Sequence, residues 1–225
     1  MNEPVAIAVL AKAPLPGFAK TRLIPALGAQ GAALLQARLV EHTIGTACAA
    51  RLGPVTLWAA PHESHPLFQT IGARFGVALA RQGGGDLGAR MLSAMVAASA
   101  PTLVIGTDCP ALMSDHLRAA ADVLRDGADA VIIPADDGGY VLIGMRAPDR
   151  AVFSDMRWGA PSIVGETRYR LKELGLTWRE PVTLWDLDLP EDLERLRGTP
   201  EDLEVPLARA VAFLGRYVLA TTPQR

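Results

Sequence analysis

Six short apolar runs recur along the chain, and they limit its fold more than any other feature. They are Val5–Leu10, Val55–Ala59, Val77–Ala80, Thr102–Gly106, Ala130–Pro134 and Tyr140–Met145. Each is rich in Val, Ile, Leu or Ala and lacks polar alternation, the pattern of a strand covered on both faces. Segments with helical spacing separate them: Ala29–Ala50, Ser64–Gly72, Asp86–Ala98 and Ser114–Leu124. The alternation predicts one α/β domain over residues 1–225, a three-layer, doubly wound and mainly parallel sheet with helices on both sides. Asp137-Gly138-Gly139 between the last two runs is a tight-turn signal, so one antiparallel strand joins and the sheet is mixed. The last third predicts a helix near Pro161–Glu173, a strand near Thr177–Leu184 and a helix near Leu189–Arg197. A closing helix over Val205–Leu219 is the candidate surface for a homodimer.

Half of the 225 residues are apolar, enough for a full core, and the net charge of −2 is spread without a basic stripe. Nucleic acid is therefore excluded as a partner. The apolar run at Val5–Leu10 is too short to span a membrane and has no basic segment before it, so a cytoplasmic protein without a membrane span is expected. Two cysteines, Cys48 and Cys109, give neither a disulfide framework nor a zinc site.

In sheets of this kind ligands collect at the carboxyl ends of the strands, and the chemistry-bearing loops lie there. After the first run, Ala11–Leu23 presents Lys12, Lys20 and Arg22 among prolines and Gly17, which suits phosphate. Walker spacing is absent, and a plain basic turn would give the same composition. Gln82–Arg90 opens a helix with Gly83, Gly84 and Gly85. Asp86 can cap that helix and Arg90 lies one turn inside, so a nucleoside or sugar can approach the backbone.

The run Val104–Gly106 leads to Thr107-Asp108-Cys109-Pro110. A carboxylate at a strand end suits a hard cation, which makes Asp108 the first-choice metal ligand; Ser114 or Asp115 is better placed to cap the following helix. Trp185-Asp186-Leu187-Asp188 sets two carboxylates two residues apart, on one side of an extended segment, as a second source of ligands for Mg2+ or Mn2+. The alternative use of Asp188 is to cap the helix that begins at Pro190. Asp136, Asp137, Gly138, Gly139 and Tyr140 suit acceptor recognition, with Asp136 or Asp137 as a base, although a hairpin turn alone explains them. Trp158 is a candidate for the acceptor wall. His62 and His65 are read as solvated loop residues.

Taken together, Lys20-Thr21-Arg22-Leu23, Gly84-Asp86-Leu87-Gly88-Arg90-Met91, Gly106–Pro110, Asp137–Tyr140 and Trp185–Asp188 are specific. From Val5 to Leu196 the chain resembles a bacterial family of glycosyltransferase-A-like proteins of formerly unknown function, some described as arsenosugar-biosynthesis glycosyltransferases. That family lies in the nucleotide-diphospho-sugar transferase superfamily. The first and last motifs also resemble guanylyltransferases acting on 2-phospholactate or molybdopterin, but a Gly-x-Gly-x-Arg start is replaced here by Ala13–Gly17. The resemblance implies metal-ligand roles for Asp108 and for Asp186 or Asp188.

The expected activity is transfer of a sugar from a nucleoside diphosphate sugar to a small acceptor, with Lys20 and Arg22 offsetting the leaving charge and Asp108 and Asp137 at the reacting centre. Nucleotidyl transfer from a nucleoside triphosphate to a phosphorylated substrate, with release of pyrophosphate, is the alternative. A nucleotide-binding protein without turnover is a third.

Overall fold

The computed structural model describes residues 3–197; the predicted helix Val205–Leu219 lies outside the described residues. Seven strands form one sheet: β1 (Ala6–Lys12), β2 (Val55–Ala60), β3 (Ala78–Arg81), β4 (Thr102–Ile105), β5 (Ala130–Pro134), β6 (Tyr140–Met145) and β7 (Trp178–Arg179), in the order β3-β2-β1-β4-β6-β5-β7. Among the described residues the helices are α1 (Ile24–Ala50), α2 (Pro66–Phe75), α3 (Leu87–Ala98), α4 (Ser114–Arg125), α5 (Arg150–Phe153), α6 (Ile163–Glu173) and α7 (Pro190–Arg197), with a 3-10 turn at Thr21–Leu23.

β1, β2, β3 and β4 pair in parallel, as do β5 and β7, and among the described strands β6 alone runs antiparallel, between β4 and β5. The hairpin expected at Asp137-Gly138-Gly139 produces that reversal, and β5 thereby points the same way as β1 and β4. All three carboxyl ends meet at one edge.

Alternation along the strands builds two cores. Ile7, Val9, Leu103 and Ile105 face α1, α2 and α4, whose Val40, Ile44, Phe68, Leu117 and Ala121 complete that layer. Ala8, Val104, Ile132 and Ile143 face α3, α5 and α6, with Met91, Met95, Phe153 and Leu171. β1, β4 and β6 are buried throughout their middles because helices cover both faces, which is why their sequences are unbroken apolar runs.

A third, smaller cluster joins the two ends of the described chain: Leu23, Leu27, Leu35 and Leu39 pack against Trp185, Leu187, Leu193 and Leu196. By length and composition the helical stretch Thr21–Ala50 could cross a membrane, but half of its most apolar window is buried in the fold, where Leu23, Leu27, Leu35 and Leu39 fill the third cluster and Val40 and Ile44 the first.

Several expectations are corrected. The predicted strand Thr177–Leu184 shrinks to Trp178–Arg179 plus a lone bridge between Leu184 and Ala135, because Pro181 lacks the N–H that a ladder needs. α4 begins after Met113, whose N–H is accepted by His116 Nδ1 at 3.2 Å, so neither Ser114 nor Asp115 caps it. His65 caps α2, its Nδ1 accepting from the Leu67 N–H at 3.2 Å.

Gly144 in β6 shows how tightly the sheet is filled. A Cβ there would stand 2.5 Å from Leu103 Cδ2 and 2.7 Å from Val131 Cγ1, both fully buried. Gly144→Ala is expected to cost about 1–3 kcal/mol by overpacking. In urea this appears as a lower midpoint at unchanged slope; an unchanged midpoint would mean that this layer yields.

Candidate active site

The parallel half of the sheet ends in a row of loops. β1 runs into Ala13–Ala19, where the Leu15 carbonyl accepts from the Phe18 and Ala19 N–H groups at 3.0 and 3.1 Å and winds the basic segment into a compact turn. Lys20 follows in the left-handed region (φ 48°, ψ 46°), an unfavourable place for a lysine. That backbone turns its side chain inward, to 4% exposure.

The Lys20 Nζ lies 2.6 Å from Asp108 Oδ1, and it donates to Asp188 Oδ1 at 3.0 Å and to the Leu187 carbonyl at 2.6 Å. Burial acts to lower the pKa of this ammonium. The Asp108 and Asp188 carboxylates more than reverse that effect and hold it above its usual value. Arg22 is exposed, its Nη1 3.8 Å from Asp188 Oδ2.

The loop carrying Asp186 and Asp188 is delivered by two backbone contacts. Leu184 pairs with the end of β5, and the Leu187 N–H donates to the Asp108 carbonyl at 2.7 Å. The Asp188 carboxylate does not cap α7. Asp192 does that from within the first turn, accepting from the Asp188 and Leu189 N–H groups at 2.9 and 2.7 Å.

Asp186 feels its neighbours most. Its carboxyl is pushed up to about 7 by burial and by Asp108, Asp137 and Asp188, with Lys20 opposing. Four acids from three loops thus share one field, offset chiefly by a single seated ammonium. Their oxygens are hard donors of the kind Mg2+ or Mn2+ takes, and they carry more negative charge than Lys20 balances, so the donor set suits a divalent cation. As placed, no three ligating side chains converge among the described residues, and the Lys20 ammonium stands between Asp108 and Asp188.

Other residues named from the sequence are divided between this cluster and its flanks. Asp137 Oδ1 accepts from the Gly139 N–H at 2.9 Å, which closes the turn while leaving its charge beside Asp186. Asp136 pairs instead with Arg195 at 2.8 Å, and that guanidinium stacks over Trp185. Gly138 has φ +89°, and a Cβ would collide with the Pro161 carbonyl, so this turn is locked against the start of α6.

Asp86 caps α3 through the Ala89 N–H at 2.8 Å, and Arg90 Nε donates to the Gly85 carbonyl at 3.2 Å. Both therefore shape the loop of Gly83, Gly84 and Gly85. Trp158 lies over Gly88, where a Cβ would stand 2.5 Å from the indole, and meets Tyr140 edge-on at 6.5 Å. Burial raises the Tyr140 hydroxyl's pKa strongly. The buried Trp158 indole N–H finds no acceptor among the described residues. Lys12 and Gly17 are exposed, and the ion-pair cluster includes neither.

Two amides were not singled out from the sequence. Gln36 of α1 is buried and donates to Thr107 Oγ1 at 3.2 Å and to the Lys12 carbonyl at 3.4 Å, tying the first loop to the one bearing Asp108. Gln82 donates to the Ala11 and Trp58 carbonyls at 3.1 and 2.8 Å, binding the ends of β1 and β2. The available signal for Gln36 was a lone amide on the apolar face set by Leu35, Leu39 and Val40. Cys109 sits under the cluster with its thiol pushed up to about 12, chiefly by burial, and is inert packing.

Solved structures share this architecture. A protein from Desulfovibrio desulfuricans G20, provisionally assigned as a nucleotide-diphospho-sugar transferase, matches with a TM-score of 0.84 and 26% identity over the whole of both chains. A cytidylyltransferase from Leptospira borgpetersenii serovar Hardjo-bovis matches at 0.59, with 15% identity over 99% of this chain and 98% of that one. CMP:2-keto-3-deoxy-manno-octonic acid synthetase, solved with CTP, matches at 0.54, with 12% identity over 86% of this chain and 97% of that one. No curated protein matches the chain in sequence. The fold is the mixed, mainly parallel sheet of the nucleotide-diphospho-sugar transferase type. Residues 43–160, just over half of the chain, match the family model described as "Uncharacterized protein conserved in bacteria (DUF2064)", and the chain belongs to that family.

Proposed function

We propose that this chain is a metal-dependent transferase that moves a sugar from a nucleoside diphosphate sugar to the hydroxyl of a small acceptor. The observation that carries the reading is the meeting of Lys20 and Arg22 with Asp108, Asp186 and Asp188 at the carboxyl edge of the sheet. The likeness to a nucleotide-diphospho-sugar transferase over the whole chain supports it. Mg2+ or Mn2+ held by Asp108 with Asp186 or Asp188 would supply positive charge to the diphosphate oxygens.

The residues of the chain supply the rest. Lys20 and Arg22 offset the charge that grows on the departing nucleoside diphosphate. The backbone of Gly83, Gly84 and Gly85, shaped by Asp86 and Arg90, lies open to the nucleoside. Lys12 and the turn at Gly17 face the phosphates. Asp137, fixed by its own turn beside the cluster, is the base toward the acceptor hydroxyl. Trp158 and Tyr140, their rings edge to face, form the acceptor wall.

Nucleotidyl transfer from a nucleoside triphosphate is the second reading, favoured by the cytidylyltransferase and CMP-sugar synthetase folds and by three cations in the first loop. Thermal unfolding with nucleoside diphosphates, triphosphates and sugar nucleotides, each with and without Mn2+, separates the two. A ligand at a hundred times its Kd adds about 2.7 kcal/mol. Metal-dependent stabilisation by a diphosphate and its sugar conjugate is expected. Preference for a triphosphate moves the assignment to nucleotidyl transfer, and no response from any of them defeats both.

A further inference from the structure

A lysine that serves only to meet phosphate would reach into solvent, yet Lys20 is folded under the loop with a 4% exposed side chain. Its three ammonium hydrogens face three acceptors: Asp108 Oδ1, Asp188 Oδ1 and the Leu187 carbonyl. The arrangement is maintained against two costs, a left-handed backbone at Lys20 and the desolvation of its charge. Of the three acceptors, Asp108 is proposed to hold metal in either ligand set and Asp188 in one of the two.

We infer that the Lys20 ammonium is the resting counterion of the carboxylate site, and that a divalent cation enters only as this ammonium leaves. The inference rests on the metal-dependent reading above. An ammonium and a divalent ion repel at contact distance, and both need Asp108 whichever of Asp186 and Asp188 completes the metal site, so the two occupancies oppose one another.

Movement of Lys20 has a destination. Arg22 is exposed beside it, and a polyphosphate drawn to Arg22 offers the displaced ammonium new anionic partners. Metal and nucleotide then bind each other's form of the site, and either alone binds weakly. Lys20 is in this sense a positioning residue before it is a phosphate ligand.

The test is made on the full chain in two ways. In the first, wild-type protein is treated with an amine-reactive acetylating reagent, with and without saturating Mn2+, and labelling of Lys20 is followed by peptide mass spectrometry. Lys20 is expected to be protected without Mn2+ and to label about threefold faster or more with it. Unchanged Lys20 labelling with Mn2+ demonstrably bound overturns the inference and leaves the metal site standing. In the second, free Mn2+ is measured by electron paramagnetic resonance during titration without nucleotide. Lys20→Met is expected to bind Mn2+ about tenfold tighter than wild type, and Lys20→Arg no tighter. Should Lys20→Met fold only in Mn2+, that recovery counts for the inference, and failure to recover counts against it. Equal affinity in wild type and Lys20→Met removes the competition but not the metal. Absence of Mn2+ binding by every form, even with a nucleoside diphosphate, removes the metal-dependent reading itself.

Discussion

Asp108→Asn is expected to reduce turnover by about a thousandfold or more while leaving the fold's stability almost unchanged. Asparagine keeps the shape of the side chain and removes its charge. The site then loses one of its acids, and Lys20 meets a neutral amide oxygen where it had a carboxylate at 2.6 Å. Stability changes little for two reasons. The Asp108 side chain is 46% exposed, so solvent screens its end of the pair, and the amide oxygen of asparagine still accepts from the buried Lys20; the net loss is about 1 kcal/mol. Lys20 also retains Asp188 and the Leu187 carbonyl, while Asp186 is relieved of one repelling neighbour. Release of nucleoside diphosphate from the donor found by thermal shift measures the first effect, and urea unfolding the second. Undiminished turnover would remove Asp108 from the chemistry; loss of stability by several kcal/mol would make it a folding residue.

Asp186→Asn should act in the opposite sense, on stability and only at higher pH. The folded carboxyl is pushed up to about 7, above the ordinary unfolded value of about 4. Between those values the folded state holds a proton that the unfolded chain has released. Its contribution is therefore complete below about pH 4 and lost as pH rises through about 7. Asparagine, always neutral, avoids that loss. Asp186→Asn should leave the chelator-treated protein nearly unchanged at about pH 4 and stabilise it by about 2–4 kcal/mol at about pH 8. Melting temperatures across that range decide it. An equal shift at both ends would mean that Asp186 is not held neutral by burial and by Asp108, Asp137 and Asp188.

The sequence displays most of the scaffold because a strand covered on both faces needs apolar residues at every position. β1, β4, β5 and β6 announce themselves in this way, β2 and β3 do so by apolar runs that the fold covers only in part, and the Asp137-Gly138-Gly139 turn announces the reversal. β7 does not, since two residues are too few for a pattern and Pro181 stops the ladder. Loop composition likewise pointed to the residues that gather at the strand ends, but not to their partners. Nothing in the spacing of Asp136 and Asp137 says that one is drawn to Arg195 while the other stays beside Asp186. The inward turn of Lys20 is equally invisible, for it depends on a backbone conformation that lysine rarely takes. Gln36 and Gln82 were missed for the same reason: their roles are to accept distant geometry, not to follow a local period.

The apolar cluster that clasps Leu23, Leu27, Leu35 and Leu39 to Trp185, Leu187, Leu193 and Leu196 also imposes an order in time. Lys20 and Asp188 are 168 residues apart in the chain. At about 5–20 residues per second of synthesis, the basic loop waits roughly ten seconds or more for Asp188, the second of the two acids that hold Lys20. The sheet from β1 to β6 can close during that interval, but Lys20 has no complete set of partners until the last loop docks. A nascent chain of this protein can therefore close most of its sheet before the charge of Lys20 is fully balanced.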